Sequence, residues 1–186
     1  MKINKITSKE MAQNCYVLVK EKTAILIDPG MQTDEMLSFL DKNQLNATAV
    51  LLTHGHFDHI YSCKTLKDRG AKIYISEADA PKLLNNELNI GYFCGVDCQK
   101  VLPDGFLTEG KCQIENEYFE IIFTPGHTSG SVLIVYKDNV FTGDTYFTKG
   151  VYGRTDLLDG DQDKLEQSLK IVNKIIKGKK IYPGHE

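Results

Sequence analysis

Three of the five histidines of this 186-residue chain, together with one aspartate, fall within six positions of the stretch LLTHGHFDHIYS at 51 to 62. His54, His56, Asp58 and His59 are all of metal-ligand type, but they cannot serve one ion together. Alternate positions on an extended segment point different ways, and the segment is expected to turn into a helix at His59. Two adjacent metal ions are the natural solution. Imidazole suits zinc, iron and other first-row ions, and the carboxylate among the histidines argues against a thiolate site.

The other two histidines stand in similar settings. His127 lies in FTPGHTSGS and His185 in YPGHE, each after a strand-like run and a Pro-Gly turn. Every histidine of the chain is therefore expected at a strand end, in a loop. Histidines that merely fill a core would be scattered over strand and helix faces, so the five read as one ligand set. Asp144 in FTGDT follows a second hairpin as Asp28 follows a first; a Gly-Asp turn taken alone reads as a turn former. No serine or cysteine stands in a nucleophile motif.

Elements must bring these positions together, and the sequence writes the same plan twice. CYVLVKEKTAILIDPG at 15 to 30 reads as a hairpin ending in Asp28. TDEMLSFLDKN follows with Met36, Leu37 and Leu40 at helical spacing behind a Thr33 cap, with Met31 as its staple partner. TAVLLTHGH is then a strand apolar on successive residues, as expected of one covered on both faces. In the C-terminal third, SVLIVYKDNVFTGD is again a hairpin ending in an aspartate. DQDKLEQSLKIVNKIIKG is again an amphipathic helix, with Leu165, Leu169, Val172 and Ile176 in one stripe and Gly178 as its stop, and KKIYPGHE is again a strand running into a histidine. Such duplication implies two β-sheet layers packed face to face, helices outside, and the strand ends of both halves meeting along one edge. The length suits one domain over residues 1–186, with similar halves at roughly 1–85 and 118–186. The segment 86–117 between them reads as an irregular loop roofing the site. Tyr92 and Phe93 in it look like lid aromatics that could meet an apolar acyl group, with packing under the loop as their plainer role. Cys94, Cys98 and Cys112 are too loosely spaced to make a zinc site without a fourth ligand, and ordinary thiols are expected.

A net charge of -3 gives no electrostatic reason to expect nucleic acid or an acidic membrane as partner. The basic run KGKK at 177 to 180 reads as a solvated helix end. No apolar leader opens the chain, and its apolar runs fall far short of a membrane span. Five cysteines, an odd number in a chain with ample core residues, favour free thiols in a reducing compartment. The expectation is a cytoplasmic protein acting on a small molecule, with its oligomeric state open.

The series THxHxDH, PGHT, GDT and PGH resembles the metallo-β-lactamase-fold hydrolases, in their order and over the chain from residue 15 onward. The resemblance implies an αββα sandwich with a dinuclear centre: His54, His56 and His127 on the first metal, Asp58, His59 and His185 on the second, and Asp144 bridging. Zinc is the first expectation for both ions, with iron and manganese also admitted by the ligand types. Asp58 and Asp144 are the carboxylates assigned to catalysis as well as to metal. Two close cations would bring a water to hydroxide near neutral pH, polarise a carbonyl and stabilise the departing group.

Within that family the chain is most similar to hydroxyacylglutathione hydrolases (glyoxalase II) and their short bacterial relatives. GDTYFTKGVYGRTD is similar to their stretch from the bridging aspartate to a glycine and a basic residue, and GHE to their last ligand motif. The basic residue, here Arg154, would then hold the glutathione part of a thioester. The plainer reading is a surface arginine paired with Asp156 or Asp159. Asp156 stands where those enzymes carry a glutathione-binding tyrosine, and they continue beyond the position of Glu186 into a further tyrosine and a helical domain. The glutathione pocket is thus expected to be largely missing. With His185 one residue from the end, either the metal pins the tail or the second site is the weaker. Thioesters remain the first substrate class, because a thiolate leaving group needs no strong general acid. A persulfide dioxygenase, binding one iron through His54, His56, His127 and Asp144, is the alternative. A β-lactamase would be exported and commonly carries cysteine at the position of Asp144, and a nuclease would want a basic groove or substrate arm.

Overall fold

The computed structural model describes residues 1–186, apart from the side chain of Lys149. Six strands make the first sheet, in chain order: β1 (Lys2–Thr7), β2 (Asn14–Lys20), β3 (Thr23–Ile27), β4 (Asn46–Leu51), β5 (Lys72–Ile75) and β6 (Gly105–Phe106). The hairpin β2–β3 is antiparallel, whereas β3, β4, β5 and β6 run parallel. The second sheet holds β7 (Gly110–Ile114), β8 (Glu117–Phe123), β9 (Val132–Tyr136), β10 (Asn139–Gly143) and β11 (Lys180–Pro183), with β10 and β11 as its parallel pair. Helices α1 (Thr33–Lys42), α2 (Phe57–Ile60) and α3 (Cys63–Asp68) accompany the first sheet, and α4 (Gln162–Ile175) the second.

Alternation along the strands builds three apolar layers. On β2, Cys15 and Val17 join Met36, Leu40 and Leu66 from the helices, while Tyr16 and Leu18 join Phe119, Ile134 and Phe141 between the sheets. On β9, Val132, Ile134 and Tyr136 face that same central layer, and Leu133 and Val135 face Val172 of α4 on the far side. A strand with both faces covered has no polar side to offer, which is why β4 and β9 read as unbroken apolar runs. The αββα sandwich and its duplicated plan are what the chain forms.

Some local expectations need correcting. Thr33 lies inside the first turn of α1, and its hydroxyl pairs with Ser62 Oγ at 2.6 Å instead of capping; the flanking Gln32 turns its side chain to Ile6 O and Gln13 Oε1. In α4 the buried stripe is Leu165, Ser168 and Val172, and it is Asp161 that caps, accepting from Lys164 N. Segment 86–117 is less irregular than its glycines suggest, for it contains β6 and β7, the edge strands of the two sheets. The chain crosses between the layers at 107–109, with Leu107 buried in the central layer. The rest of the segment packs on α2: Phe57 N donates to Asn89 O at 3.0 Å, and Ile90, Val96, Cys98 and Val101 join the outer core. Tyr92 and Phe93 are not packed beneath it. They stand 66% and 71% exposed on a 3-10 turn without a buried face.

Among the described residues all five cysteines are free, and Cys98 and Cys112 lie in different apolar layers, so no thiol cluster forms. No helix is long and apolar enough to cross a membrane.

Candidate metal centre

Strand ends place every ligand-type residue at one edge of the sandwich. β3 runs into Asp28, β4 into His54, β10 into Asp144 and β11 into His185; His127 lies between β8 and β9, and α2 presents Asp58 and His59. The two sheets are stitched together here. Val132 N donates to Thr53 O at 2.9 Å and Asn14 N to Gly184 O at 2.7 Å, while within the second sheet Gly184 N donates to Gly143 O at 2.8 Å. Tyr16 Oη donates to Pro183 O at 2.6 Å, and Glu186 N to Ala12 O at 3.2 Å. These bonds tie the residues on either side of His185 to the first sheet.

Three overlapping sets of donors result: His54, His56 and His127; His54, His59 and Asp144; and Asp58, His59 and His185. Within each set the donor atoms lie within 4.8 Å of one another. His56 Nδ1 faces His127 Nε2 at 2.9 Å, and His59 Nε2 faces His185 Nε2 at 3.4 Å. Asp144 stands between the pairs, its Oδ2 3.5 Å from His127 Nε2 and 3.4 Å from His185 Nε2, its Oδ1 3.3 Å from His59 Nε2. Asp58 Oδ2 is 3.2 Å from His185 Nε2. All seven sequence-predicted ligands thus meet in one place.

The outer ring nitrogens are held by the protein. His127 Nδ1 pairs with Arg154 O at 2.8 Å and His185 Nδ1 with Met11 O at 2.9 Å, and His54 Nδ1 lies 3.2 Å from Thr53 Oγ1. Asp28 Oδ2 is 3.1 Å from His59 Nδ1, off the line of a directed hydrogen bond but close enough for a strong charge contact. Such backing fixes ring orientation and tautomer, as is usual behind metal-bound histidines. The inner atoms, in contrast, want a partner. His54 Nε2 and Asp144 Oδ1 are buried without a hydrogen bond among the described residues, an arrangement that costs roughly 1–3 kcal/mol per group unless something satisfies it. Buried imidazoles and carboxylates converging on orphaned atoms fit a divalent cation better than any proton arrangement.

Electrostatics divides the site. Burial pushes His54 well below the ordinary imidazole range, and burial with the neighbouring His127 takes His56 down to about 3, so both rings are neutral and ready to ligate. Burial opposes charge on His59 too, but Asp144, Asp58 and Asp28 outweigh it and hold the ring well above its usual value. For His185, burial is likewise overcome by hydrogen bonds to Asp144 and Asp58, which raise it to about 10. Burial would raise Asp58 and Asp144, yet the facing His59 keeps both lowered.

Arg154 pairs its exposed guanidinium with Asp156 through Nε at 2.6 Å and Nη2 at 2.7 Å. Its backbone carbonyl, not its charge, is what reaches the centre. Residues that sequence reasoning left without a role include Asp28, whose carboxylate also accepts from Thr53 N at 2.8 Å and Thr53 Oγ1 at 2.6 Å. Its signal was present, since Asp28 matches Asp144 in the repeated plan. Phe147 lies edge-on to His185 with ring centroids 6.1 Å apart, and Val151 and Tyr152 stand exposed in the same loop.

Comparison with known proteins agrees with this geometry. The family model described as Metallo-beta-lactamase superfamily matches residues 9–185. A probable metallo-hydrolase of Bacillus subtilis is 30% identical, the alignment covering 91% of this chain and 82% of the relative. Hydroxyacylglutathione hydrolase 1 of Vibrio vulnificus is 31% identical over 92% of this chain and 61% of that enzyme. Among solved structures, BLEG-1 B3 metallo-beta-lactamase superposes with a TM-score of 0.90 at 32% identity, covering all of this chain and 92% of that one. TTHA1623 in a di-iron-bound form gives 0.87 at 29%, covering 98% and 92%. ETHE1 from Myxococcus xanthus gives 0.79 at 29%, covering 100% and 76%.

Proposed function

The chain belongs to the metallo-β-lactamase superfamily, and from that premise we propose that it is a dinuclear metal-dependent hydrolase of thioesters formed with a small thiol such as glutathione. The observation that carries the reading is the position of Asp144, whose carboxylate oxygens lie 3.3–3.5 Å from Nε2 of His127 on one side and of His59 and His185 on the other, among donor sets that overlap through His54 and His59. His54, His56 and His127 would hold one ion, Asp58, His59 and His185 the other, and Asp144 would bridge. When bound, zinc, iron or manganese there supplies Lewis acidity that activates water and polarises an ester carbonyl.

The chain's own residues do the rest. Neutral His54 and His56 offer lone pairs without first losing a proton. Arg154 O and Met11 O fix the His127 and His185 tautomers through their Nδ1 atoms, leaving each Nε2 turned inward. Phe147 walls the His185 side and sheds water from it. No general acid is required, because a thiolate departs unaided. Free cysteines fit the reducing, cytoplasmic setting in which such thioesters arise. Similarity to the Vibrio vulnificus hydroxyacylglutathione hydrolase supports the substrate class.

A second reading, a mononuclear iron persulfide dioxygenase with its iron held through His54, His56, His127 and Asp144, draws on the likeness to ETHE1 from Myxococcus xanthus. Metal content of the chain purified without added metal, measured beside hydrolysis of S-lactoylglutathione, separates the two. Two equivalents with thioester turnover support the hydrolase. One iron, no hydrolysis and oxygen uptake with glutathione persulfide would replace it.

A further inference from the structure

Behind the first donor set lies a buried group of charges that no ligand motif contains. Asp79 is fully buried and its carboxylate accepts four hydrogen bonds. Oδ2 takes Gly55 N at 2.8 Å and Thr128 Oγ1 at 2.8 Å; Oδ1 takes Lys82 Nζ at 2.6 Å and Gly130 N at 3.0 Å. Lys82, itself 4% exposed, reaches on to Asp159 Oδ2 at 2.8 Å. Asp159 in turn accepts from Ser129 N at 3.0 Å and Ser129 Oγ at 2.7 Å.

The targets of these bonds are what matter. Gly55 is the residue between His54 and His56, Thr128 directly follows His127, and Ser129 and Gly130 continue that loop. One carboxylate therefore clasps both loops that supply the first donor set, although those loops lie more than seventy residues apart. Space has been kept for the clasp. A Cβ at Gly130 would collide with Asp79 Oδ1 and Ser76 Oγ, and one at Gly55 would meet the Lys82 stem within 2.8 Å.

Burying an ion pair such as Asp79 and Lys82 is a poor way to gain stability, since an apolar cluster of equal volume commonly does as well; such groups more often fix one arrangement among several. We propose that Asp79, Lys82 and Asp159 form a positioning device that sets the spacing of His54, His56 and His127, and so the metal affinity of that donor set alone. The inference rests on the metal-centre reading above. None of the three residues touches a ligand side chain; they act through the backbone and Thr128.

Cobalt(II) titrated into the chelator-treated chain and followed by its visible absorption tests this, with His127→Ala and His185→Ala assigning the two binding steps. Asp79→Asn keeps the volume but presents an amide NH2 to donors. Asp159→Asn weakens the clasp from its half-exposed end and should leave folding intact. The expected result is a first-set step weakened about tenfold to a hundredfold, with altered absorption bands, and an unchanged step for Asp58, His59 and His185. Thermal unfolding of metal-free Asp159→Asn should match the parent. Equal weakening of both steps together with a fallen melting temperature would reduce the group to general scaffolding, and unchanged steps would remove its role altogether. If Asp79→Asn does not fold, Asp159→Asn decides. A parent chain that takes up no cobalt would end the metal-centre reading itself, an outcome distinct from these.

Discussion

Asp28 and Asp144 flank a single imidazole: Asp28 Oδ2 lies 3.1 Å from His59 Nδ1, and Asp144 Oδ1 lies 3.3 Å from His59 Nε2. The two aspartates close the second strand of equivalent hairpins, β3 in one half and β10 in the other. The fold's internal repeat has thus been put to two uses, one carboxylate facing the donors and its counterpart backing them. Asp28 also holds Thr53, the residue before His54, through two hydrogen bonds. Asp28→Ala should therefore leave two buried donors unpaired, lowering stability by about 1–3 kcal/mol per unmet group. It should also weaken metal binding roughly tenfold to a hundredfold. Chemical unfolding of the metal-free chain and metal competition with a chromogenic chelator measure the two effects. Parent-like metal affinity in Asp28→Ala would contradict the backing role.

Removal of metal should abolish hydrolysis and return of metal should restore it, if water activation depends on the cations. His56→Ala removes a ligand of one set and Asp144→Ala the carboxylate between His127 and His185. Each should reduce turnover of S-lactoylglutathione by about a hundredfold or more, with the Asp144 variant losing both ions and the His56 variant chiefly one. Elemental analysis beside steady-state kinetics checks this. Full activity in either variant would sink the assignment.

Much of this centre was legible in the sequence because ligation demands particular side chains at strand ends. His54, His56, Asp58, His59, His127, Asp144 and His185 announce themselves by type and by their Pro-Gly or Gly-Asp turns. The layers were legible for a related reason: continuous apolar runs on β2, at the end of β4 and on β9 each answer to burial on both faces. What was hidden depends on tertiary neighbours. Asp79 and Lys82 sit in an ordinary-looking SEADAPK, and only the fold brings Gly55 and Thr128 to them. Arg154 reads as a binding residue from its motif, and only the fold shows its carbonyl holding His127 while its guanidinium pairs with Asp156. The short strands β6 and β7 escaped because edge strands in a glycine-containing segment leave almost no periodicity.

Arg154→Ala deletes an exposed ion pair but spares the carbonyl that holds His127. Stability should be essentially unchanged, and kcat for S-lactoylglutathione should stay within about twofold. A KM raised tenfold or more at unchanged kcat would show instead that the guanidinium leaves Asp156 to hold the thiol carrier. Initial-rate kinetics over a range of substrate concentrations distinguish the cases.

Asp104 gives the acid side of the stability profile a local handle. Its Oδ2 accepts from Ile73 N at 2.8 Å and Lys67 Nζ at 2.9 Å, tying the approach to β6 onto β5 and α3. Partial burial alone would raise its pKa, but these two bonds outweigh it and hold the carboxyl below its usual value. A carboxylate whose folded pKa is depressed adds stability above its unfolded pKa, and that stability disappears as pH falls through the folded value. Asp104→Asn should accordingly be less stable than the parent at pH 7, by no more than about 1 kcal/mol for so exposed a pair. The gap should close below roughly pH 4. Urea unfolding of both proteins at several pH values follows it, and a gap independent of pH would refute the linkage.

Gly184 tests how tightly the second sheet is fitted around the bridging carboxylate. A Cβ there would overlap Asp144 Oδ1, stand within 2.8 Å of His59 Cε1 and press on the Gly143 backbone at 3.0 Å. None of these is the far end of a flexible side chain, and the Gly184 backbone is itself bonded to both Asn14 and Gly143, so nothing near it can yield cheaply. Gly184→Ala should cost about 1–3 kcal/mol of stability through overpacking. The larger consequence is chemical: Asp144 must turn away from His59, and the carboxylate between His127 and His185 is lost from its place. The variant is expected to fold, to bind at most one ion tightly, and to lose hydrolysis to the same degree as Asp144→Ala. Calorimetric unfolding and metal titration on one preparation read both effects, and two tightly bound ions in Gly184→Ala would mean that Asp144 does not bridge.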